Sequence, residues 1–435
     1  MKSLPEIIST KSSSTEDLMA LPGVNAVDVG YKYVKGKQTD EVCIRVHVDQ
    51  KKKTVPAKDK IPETINGIKT DVIQRKIYPL QFGLRKKLTE ISLQADNTNY
   101  ATVKGGISIG PDRAIGGYVF AGTLGCIVRD NATNNPMLLS NFHVMCVDSG
   151  WHTGDQMDQP SRVDGGTHSD NIGNLSRAVL SDHVDGAIST LSGRPYSCEI
   201  VDIGYVAGTT TAVLNSAVRK RGRTTLLTYG FVDSIAATVR IDYGDGIGEK
   251  TLHDQVSIRP DTSHNPKFSD HGDSGSVVVD NSRKIIGLLY AGSDDGFAYI
   301  NPISYVLSEL NIKVCKGGIK KIEIKEHKEF KLEKIEIKEH KEHKEFKYEK
   351  FEKAELKDKN EKLEFEGPKR IFEHDPKGIA ENPKFGEGGF DPSNPSFPNM
   401  PGFMGGQGSL SSFIPDNLRP DLSQGALSDE DQGTC

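Results

Sequence analysis

The sequence lacks a long apolar run. None approaches the roughly 18 residues that a bilayer-spanning helix needs, and residues 1–9 form no apolar signal core. No membrane partner is expected, and a cytoplasmic location is the expectation. A strong basic surplus is also missing, since the net charge is −5 over 435 residues. That argues against nucleic acid as the main partner. Cysteine is scarce and scattered: Cys43, Cys126, Cys146, Cys198, Cys315 and Cys435 include no C-x-x-C pair. No thiolate metal site or redox motif follows. Cys126 and Cys146 fall near a histidine segment and are expected as two buried thiols rather than a bridge. No Gly-x-Ser-x-Gly elbow surrounds Ser274, so the α/β-hydrolase pattern does not fit it.

What is present centres on Gly272-Asp273-Ser274-Gly275, followed by the apolar run Val277-Val278-Val279. A serine hydroxyl becomes a nucleophile only with a base and a stabilised oxyanion. Flanking glycines let successive N–H groups converge on one spot, with Ser274 beside it. Taken alone, the same four residues are also an ordinary turn. A second segment, Met137 to Met145, is an apolar strand that ends by presenting His143, a natural base near neutral pH. In a third, Asp185 enters the small, apolar stretch Gly186-Ala187-Ile188. A carboxylate there needs a partner, and the His143 imidazole would supply one. The order is His, Asp, Ser, which differs between unrelated hydrolase folds and here matches the double-barrel arrangement.

These segments resemble a trypsin-like serine peptidase of the chymotrypsin superfamily, within it the narrow-leaf-type peptidases of plants and bacteria. The likeness runs over residues 100–312. It includes Gly122-Thr123-Leu124-Gly125-Cys126, Leu139-Ser140-Asn141-Phe142-His143, Asp164-Gly165-Gly166, Val184-Asp185-Gly186-Ala187, Gly222-Arg223-Thr224-Thr225 and Gly272 to Ser276. It implies His143 as general base, Asp185 as orienting carboxylate and Ser274 as nucleophile. The Gly272 and Ser274 N–H groups would form the oxyanion hole. It also implies that Tyr290, Ala291 and Gly292 pair with the substrate backbone, and that Phe268 to His271 line the side-chain pocket. Asp270 reads as a turn aspartate. In secreted relatives Asp273 pairs with a freshly cut N-terminus; here about a hundred residues precede the domain, and its partner is open. Ile115-Gly116-Gly117-Tyr118 resembles the usual activation end but lies too close to the histidine strand. Met145 and Cys146 after the histidine, Gly186 after the aspartate and Leu226 in place of glycine depart from the family pattern.

The expected fold class is all-β, a double antiparallel β-barrel, with a small N-terminal α+β module and a charged, largely disordered C-terminal tail. Many short Val/Ile-rich runs parted by Gly, Asn and Asp support the barrels. The peptidase domain is assigned to 100–315, with barrel one at 105–190 and barrel two at 199–314. An apolar stripe at Ile303, Val306, Leu307 and Leu310 predicts a closing helix. The module at 1–95 is expected to begin a short helix at Ser14-Thr15-Glu16-Asp17. Strands at Val24 to Val34, Glu41 to Val48 and Ile68 to Ile73 follow, with turns at Lys35-Gly36-Lys37 and Asn66-Gly67. Its role is open among scaffold, folding aid, regulatory cover and oligomer contact.

Residues 316–366 are an imperfect Lys/Glu/His-rich repeat, read as a solvated tether. Lysines between His327, His340 and His343 argue against a metal site. Residues 367–435 are a Pro/Gly-rich tail, with Met404 and Phe413 as candidate docking points. The expected function is a serine endopeptidase acting on polypeptides through an acyl-enzyme, without cofactor or metal. Self-association through the N-terminal module or the tail is a further expectation. Two rival readings stand beside it: a latent binding or scaffold module that keeps the trio, and a peptidase that processes its own chain.

Overall fold

The computed structural model describes residues 2–80, 82–85, 95–244 and 246–316. The chain divides into two compact units, Met1–Glu333 and Lys334–Cys435, and every described residue belongs to the first. The readings made on the charged repeat and the tail lie outside the described residues.

The β-branched runs expected as strands form two barrels. In the second, Ala217–Gly222, Val277–Asp280, Lys284–Ser293, Ala298–Pro302, Glu249–Pro260 and Leu226–Asp242 are hydrogen-bonded in that order. Leu226–Asp242 then pairs back with Ala217–Gly222, which closes the ring. Closure leaves no unpaired edge inside the ring, and alternate residues point inward. Val218, Val232, Ile258, Val278, Leu289 and Ile300 fill that interior. In the first barrel, Cys126–Asp130, Pro136–Ser140, Asp185–Thr190, Asn171–Leu180, Gln156–Asp158, Ile107–Pro111 and Tyr118–Leu124 pair in sequence. Ile107, Ile109, Leu124, Leu138 and Ile172 pack inside it. A third cluster lies between the two, joining Leu139 and Ile188 to Val277, Ile285 and Leu288.

The closing helix is Ile303–Glu309, with Ile303 and Val306 buried. The strand Ile312–Val314 then returns to Cys126–Asp130 of barrel one. Cys126 and Cys146 are separate buried thiols. The bridge is elsewhere, between Cys198 and Cys315, whose Cα atoms are 5.6 Å apart. No spacing rule pairs residues that distant, and the sequence does not foretell it.

The N-terminal helix departs from expectation. It spans Leu4–Met19 and starts at a Ser3/Glu6 capping box with Pro5 behind it. Ser14 to Asp17 sit inside it rather than at its start. The serines are tolerated there because their hydroxyls bond back along the helix, as from Ser14 to the Thr10 carbonyl at 2.9 Å. The strands Val24–Val34 and Lys37–Val48 pair through the expected turn, the second starting four residues earlier than read from the sequence. Nor does this layer stand apart from the barrels. Val24–Val34 also pairs antiparallel with Leu226–Asp242, Ala26 facing Val239 and Gly30 facing Ser234. A buried ionic group crosses the same seam: Arg45 forks onto Asp28 at 2.7 and 2.9 Å and reaches Asp233 at 2.7 Å. Asp28 is held well below the usual carboxylate range because the Arg45 and His47 charges outweigh the penalty of burial.

Candidate active site

The strand Pro136–Ser140 ends at Asn141, and the single turn Phe142–Met145 then carries His143 inward. Asp185 opens the neighbouring strand Asp185–Thr190. Its carboxylate meets His143 Nδ1 at 2.5 Å and the His143 backbone N–H at 3.2 Å. Asn141 Nδ2 donates to the Asp185 carbonyl at 2.6 Å, and the Asp185 N–H donates to Asn301 Oδ1 at 3.1 Å. The aspartate is thus gripped from both barrels. His143 Nε2 lies 2.7 Å from Ser274 Oγ. With Nδ1–H given to the carboxylate, Nε2 is left to accept the serine proton. Tyr243 walls the imidazole, ring centroids 5.8 Å apart. All three predicted side chains are buried.

Ser274 sits on a turn that depends on its flanking glycines. Gly272 and Gly275 have φ of +94° and +93°. A Cβ on Gly275 would stand 2.1 Å from both Ser140 Oγ and the Thr123 carbonyl. Thr123 of barrel one clasps the turn: its N–H donates to the Ser274 carbonyl at 2.7 Å and its hydroxyl to the Gly272 carbonyl at 2.9 Å.

Asp273, whose partner the sequence left open, faces a buried lysine. Lys220 Nζ is 3.1 Å from Asp273 Oδ2. The Thr224 and Thr225 N–H groups donate to Oδ1 at 2.9 and 3.1 Å, and Thr225 Oγ1 to Oδ2 at 2.6 Å. Burial opposes the charge on Asp273, but Lys220 and these donors outweigh it and hold the carboxyl below its ordinary value. Burial presses the Lys220 ammonium down, with Asp273 pulling the other way. Sequence reasoning missed Lys220. It stands between Arg219 and Arg221, and that basic stretch carries no local sign of burial. Arg223 ties the same loop to barrel one through Asp164, Nε to Oδ2 at 2.7 Å. Asp270 bonds Lys267 Nζ at 3.2 Å.

The edge at Tyr290, Ala291 and Gly292, expected to receive substrate, is occupied by this chain. The strand Ile77–Pro79 pairs antiparallel with it, Pro79 facing Ala291 and Tyr78 facing Gly292. The Leu80 N–H donates to the Tyr290 carbonyl at 3.3 Å, and the Gly272 N–H donates to the Leu80 carbonyl at 2.9 Å. The Leu80 side chain is buried in a cluster with Phe268, Leu289 and Ala298. It lies on Gly292, where a Cβ would come within 2.7 Å of Leu80 Cδ2. The Tyr290 ring is itself buried, so the strand is recognised through the Tyr290 backbone.

No known family matches the chain by sequence, and no curated protein does. Among solved structures, it is similar to Thermobifida fusca Protease A at 19% identity and a TM-score of 0.37, over 50% of this chain and 100% of that one. A Nocardiopsis protease aligns at 18% identity and a TM-score of 0.36, over 49% and 98%. A Cellulomonas bogoriensis chymotrypsin aligns at 18% identity and a TM-score of 0.35, over 50% and 100%. Two antiparallel barrels, His143 and Asp185 on the first and Ser274 on the second, give this chain the trypsin-like β fold.

Proposed function

We propose that the protein is a serine endopeptidase. The observation that carries this is the unbroken relay from Asp185 through His143 to Ser274, at 2.5 and 2.7 Å, facing a carbonyl that the Gly272 N–H already holds. In the reaction, Ser274 Oγ adds to the substrate carbonyl carbon while His143 Nε2 takes its proton. Asp185 keeps the imidazole in the right tautomer and balances its charge. The oxyanion is stabilised by the Gly272 N–H, with the Ser274 N–H as the second donor. His143 then protonates the leaving amine, and water attacks the ester by the same route in reverse.

The substrate class is a polypeptide, which would add as a strand to Tyr290, Ala291 and Gly292. Phe268 among the pocket residues favours an apolar side chain before the cut bond. The test is labelling with a fluorophosphonate probe alongside a peptide-library profile. The expected result is modification of Ser274 and cleavage after bulky apolar residues, both lost in Ser274→Ala. Labelling that persists in Ser274→Ala, or that is missing even when Leu80→Gly empties the cleft, would overturn the assignment.

A further inference from the structure

The segment lying in the cleft is arranged as a substrate rather than as a plug. It runs antiparallel to Lys284–Ser293, as an added strand would. The Leu80 carbonyl is the acceptor at the Gly272 N–H, so its carbon is the one presented for attack. Leu80 fills the side-chain pocket. Pro79 stands at the one rung of this short ladder where a missing N–H costs nothing, because the bonds fall on its two neighbours. Past this point the backbone pairs with the other barrel: Phe82–Arg85 runs antiparallel to Tyr118–Leu124, Phe82 facing Ala121. The chain is therefore paired to barrel two before the serine and to barrel one after it.

The segment is also anchored upstream. Arg75 Nε bonds both Asp295 carboxylate oxygens at 3.0 Å, and its guanidinium lies 3.5 Å over the Phe297 ring. Tyr78 stacks on His271 with centroids 5.3 Å apart.

We propose that the peptide bond between Leu80 and Gln81 is a substrate of this same active site, cut once within the chain, and that the segment ending at Leu80 then stays as bound product and holds the enzyme latent. The proposal rests on the peptidase reading. Ser274 Oγ bonds to the Leu80 carbonyl carbon and its proton passes to His143. The bond from Leu80 to the Gln81 nitrogen breaks, and His143 protonates that nitrogen. Water then hydrolyses the ester, leaving a Leu80 carboxylate, a Gln81 amine and free Ser274. The new amine is not needed to order the oxyanion loop, because Lys220 already balances Asp273. Cutting instead breaks the covalent link between the blocking strand and the segment Phe82–Arg85 on barrel one, so that a competing polypeptide or a movement of the leading layer can remove it.

The experiment compares the full-length wild type, Ser274→Ala, Leu80→Asp and Leu80→Gly by intact mass and N-terminal sequencing. Each is also assayed for fluorophosphonate labelling and for hydrolysis of a synthetic peptide spanning residues 76–85. The expected result is a fragment beginning at Gln81 in the wild type, absent from the other three. Labelling and peptide hydrolysis should rise roughly tenfold or more in the Leu80 variants, because a tethered segment competes at an effective concentration on the order of millimolar. Leu80→Gly empties the pocket without adding charge and so stands in if Leu80→Asp folds poorly. A wild type that labels and hydrolyses the peptide yet stays intact at Leu80 overturns self-cutting and leaves the peptidase reading standing. A fragment that persists in Ser274→Ala overturns self-cutting by assigning the cut to another protease. Failure of every variant to label or to hydrolyse the peptide overturns both.

Discussion

Lys220 Nζ and Asp273 Oδ2 stand 3.1 Å apart with both side chains shut away from water. Asp273 is the residue before the nucleophile, and the conformation of its backbone decides where the Gly272 and Ser274 N–H groups point. A cation supplied from the strand Ala217–Gly222 fixes that conformation without any cut N-terminus.

Replacing that cation tests the idea. Lys220→Met leaves Asp273 buried and unpaired, and loss of one partner of such a pair costs about 3–5 kcal/mol. Denaturant unfolding should register that loss. The double variant Lys220→Met/Asp273→Asn should recover most of the stability but not kcat, with KM little changed. Full activity in the double variant would show that the pair serves folding alone.

Leu226 occupies a left-handed conformation, φ +56°, at the position where the resembled family has glycine. A non-glycine residue there costs on the order of 1 kcal/mol. Its carbonyl accepts from Lys220 at 3.3 Å, so the backbone is held in place despite the strain. Leu226→Gly should raise stability by about 0.5–1 kcal/mol with activity unchanged, measured by thermal and urea unfolding. A drop in stability would mean that the leucine side chain outweighs the strain.

Asp158 gives the protein a pH dependence near neutrality. It is buried beside Asp112, and burial together with that neighbouring charge pushes its carboxyl up to about 7. Asp112 itself is held by Arg162 and His168, which also face the pair. A carboxyl raised in the folded state favours folding below its unfolded value near 3.8, and that advantage disappears as pH rises through about 7. Asp158→Asn should therefore be more stable than wild type at pH 8, by roughly 1–3 kcal/mol, and the gap should shrink toward pH 5. A gap independent of pH would contradict the burial of Asp158 beside the Asp112 charge. Asp273, whose carboxyl is depressed, acts in the opposite sense. Its contribution is full above the unfolded value and is lost as pH falls through the folded one.

The Cys198–Cys315 bridge closes a loop between residues 117 apart in sequence. Such a bridge is typically worth about 2–4 kcal/mol, and a long loop lies at or above the upper end. Cys198→Ser should lower the unfolding midpoint accordingly, and reduction should do the same to the wild type but not to the variant. Equal midpoints for oxidised wild type and Cys198→Ser would show that the bridge contributes nothing to stability.

Much of the site was legible because its residue types are chemically restrictive. Gly272 and Gly275 mark a turn that other residues cannot make, and His143 ends an apolar run abruptly. Asp185 sits among small residues, where an unpaired charge would be too costly to keep. The partners of Asp273 and of the substrate edge were not legible. Lys220 reads as one more strand lysine, and Ile77 to Leu80 reads as an undistinguished connector. The N-terminal helix was misplaced because a capping signal at Ser14 is also compatible with a helix interior when the hydroxyls bond back along the chain.

Local sequence by itself determined which residues could act: a base, an orienting carboxylate and a nucleophile in the His, Asp, Ser order, on alternating strands that must close into barrels. Only tertiary structure decided what meets them. Whether Asp273 finds a cation, and whether the cleft is empty or filled by Leu80, depends on contacts between segments far apart in the chain. Such contacts are set by how closed sheets pack and pair at their edges, and no periodicity along the chain encodes which edge a short strand will join.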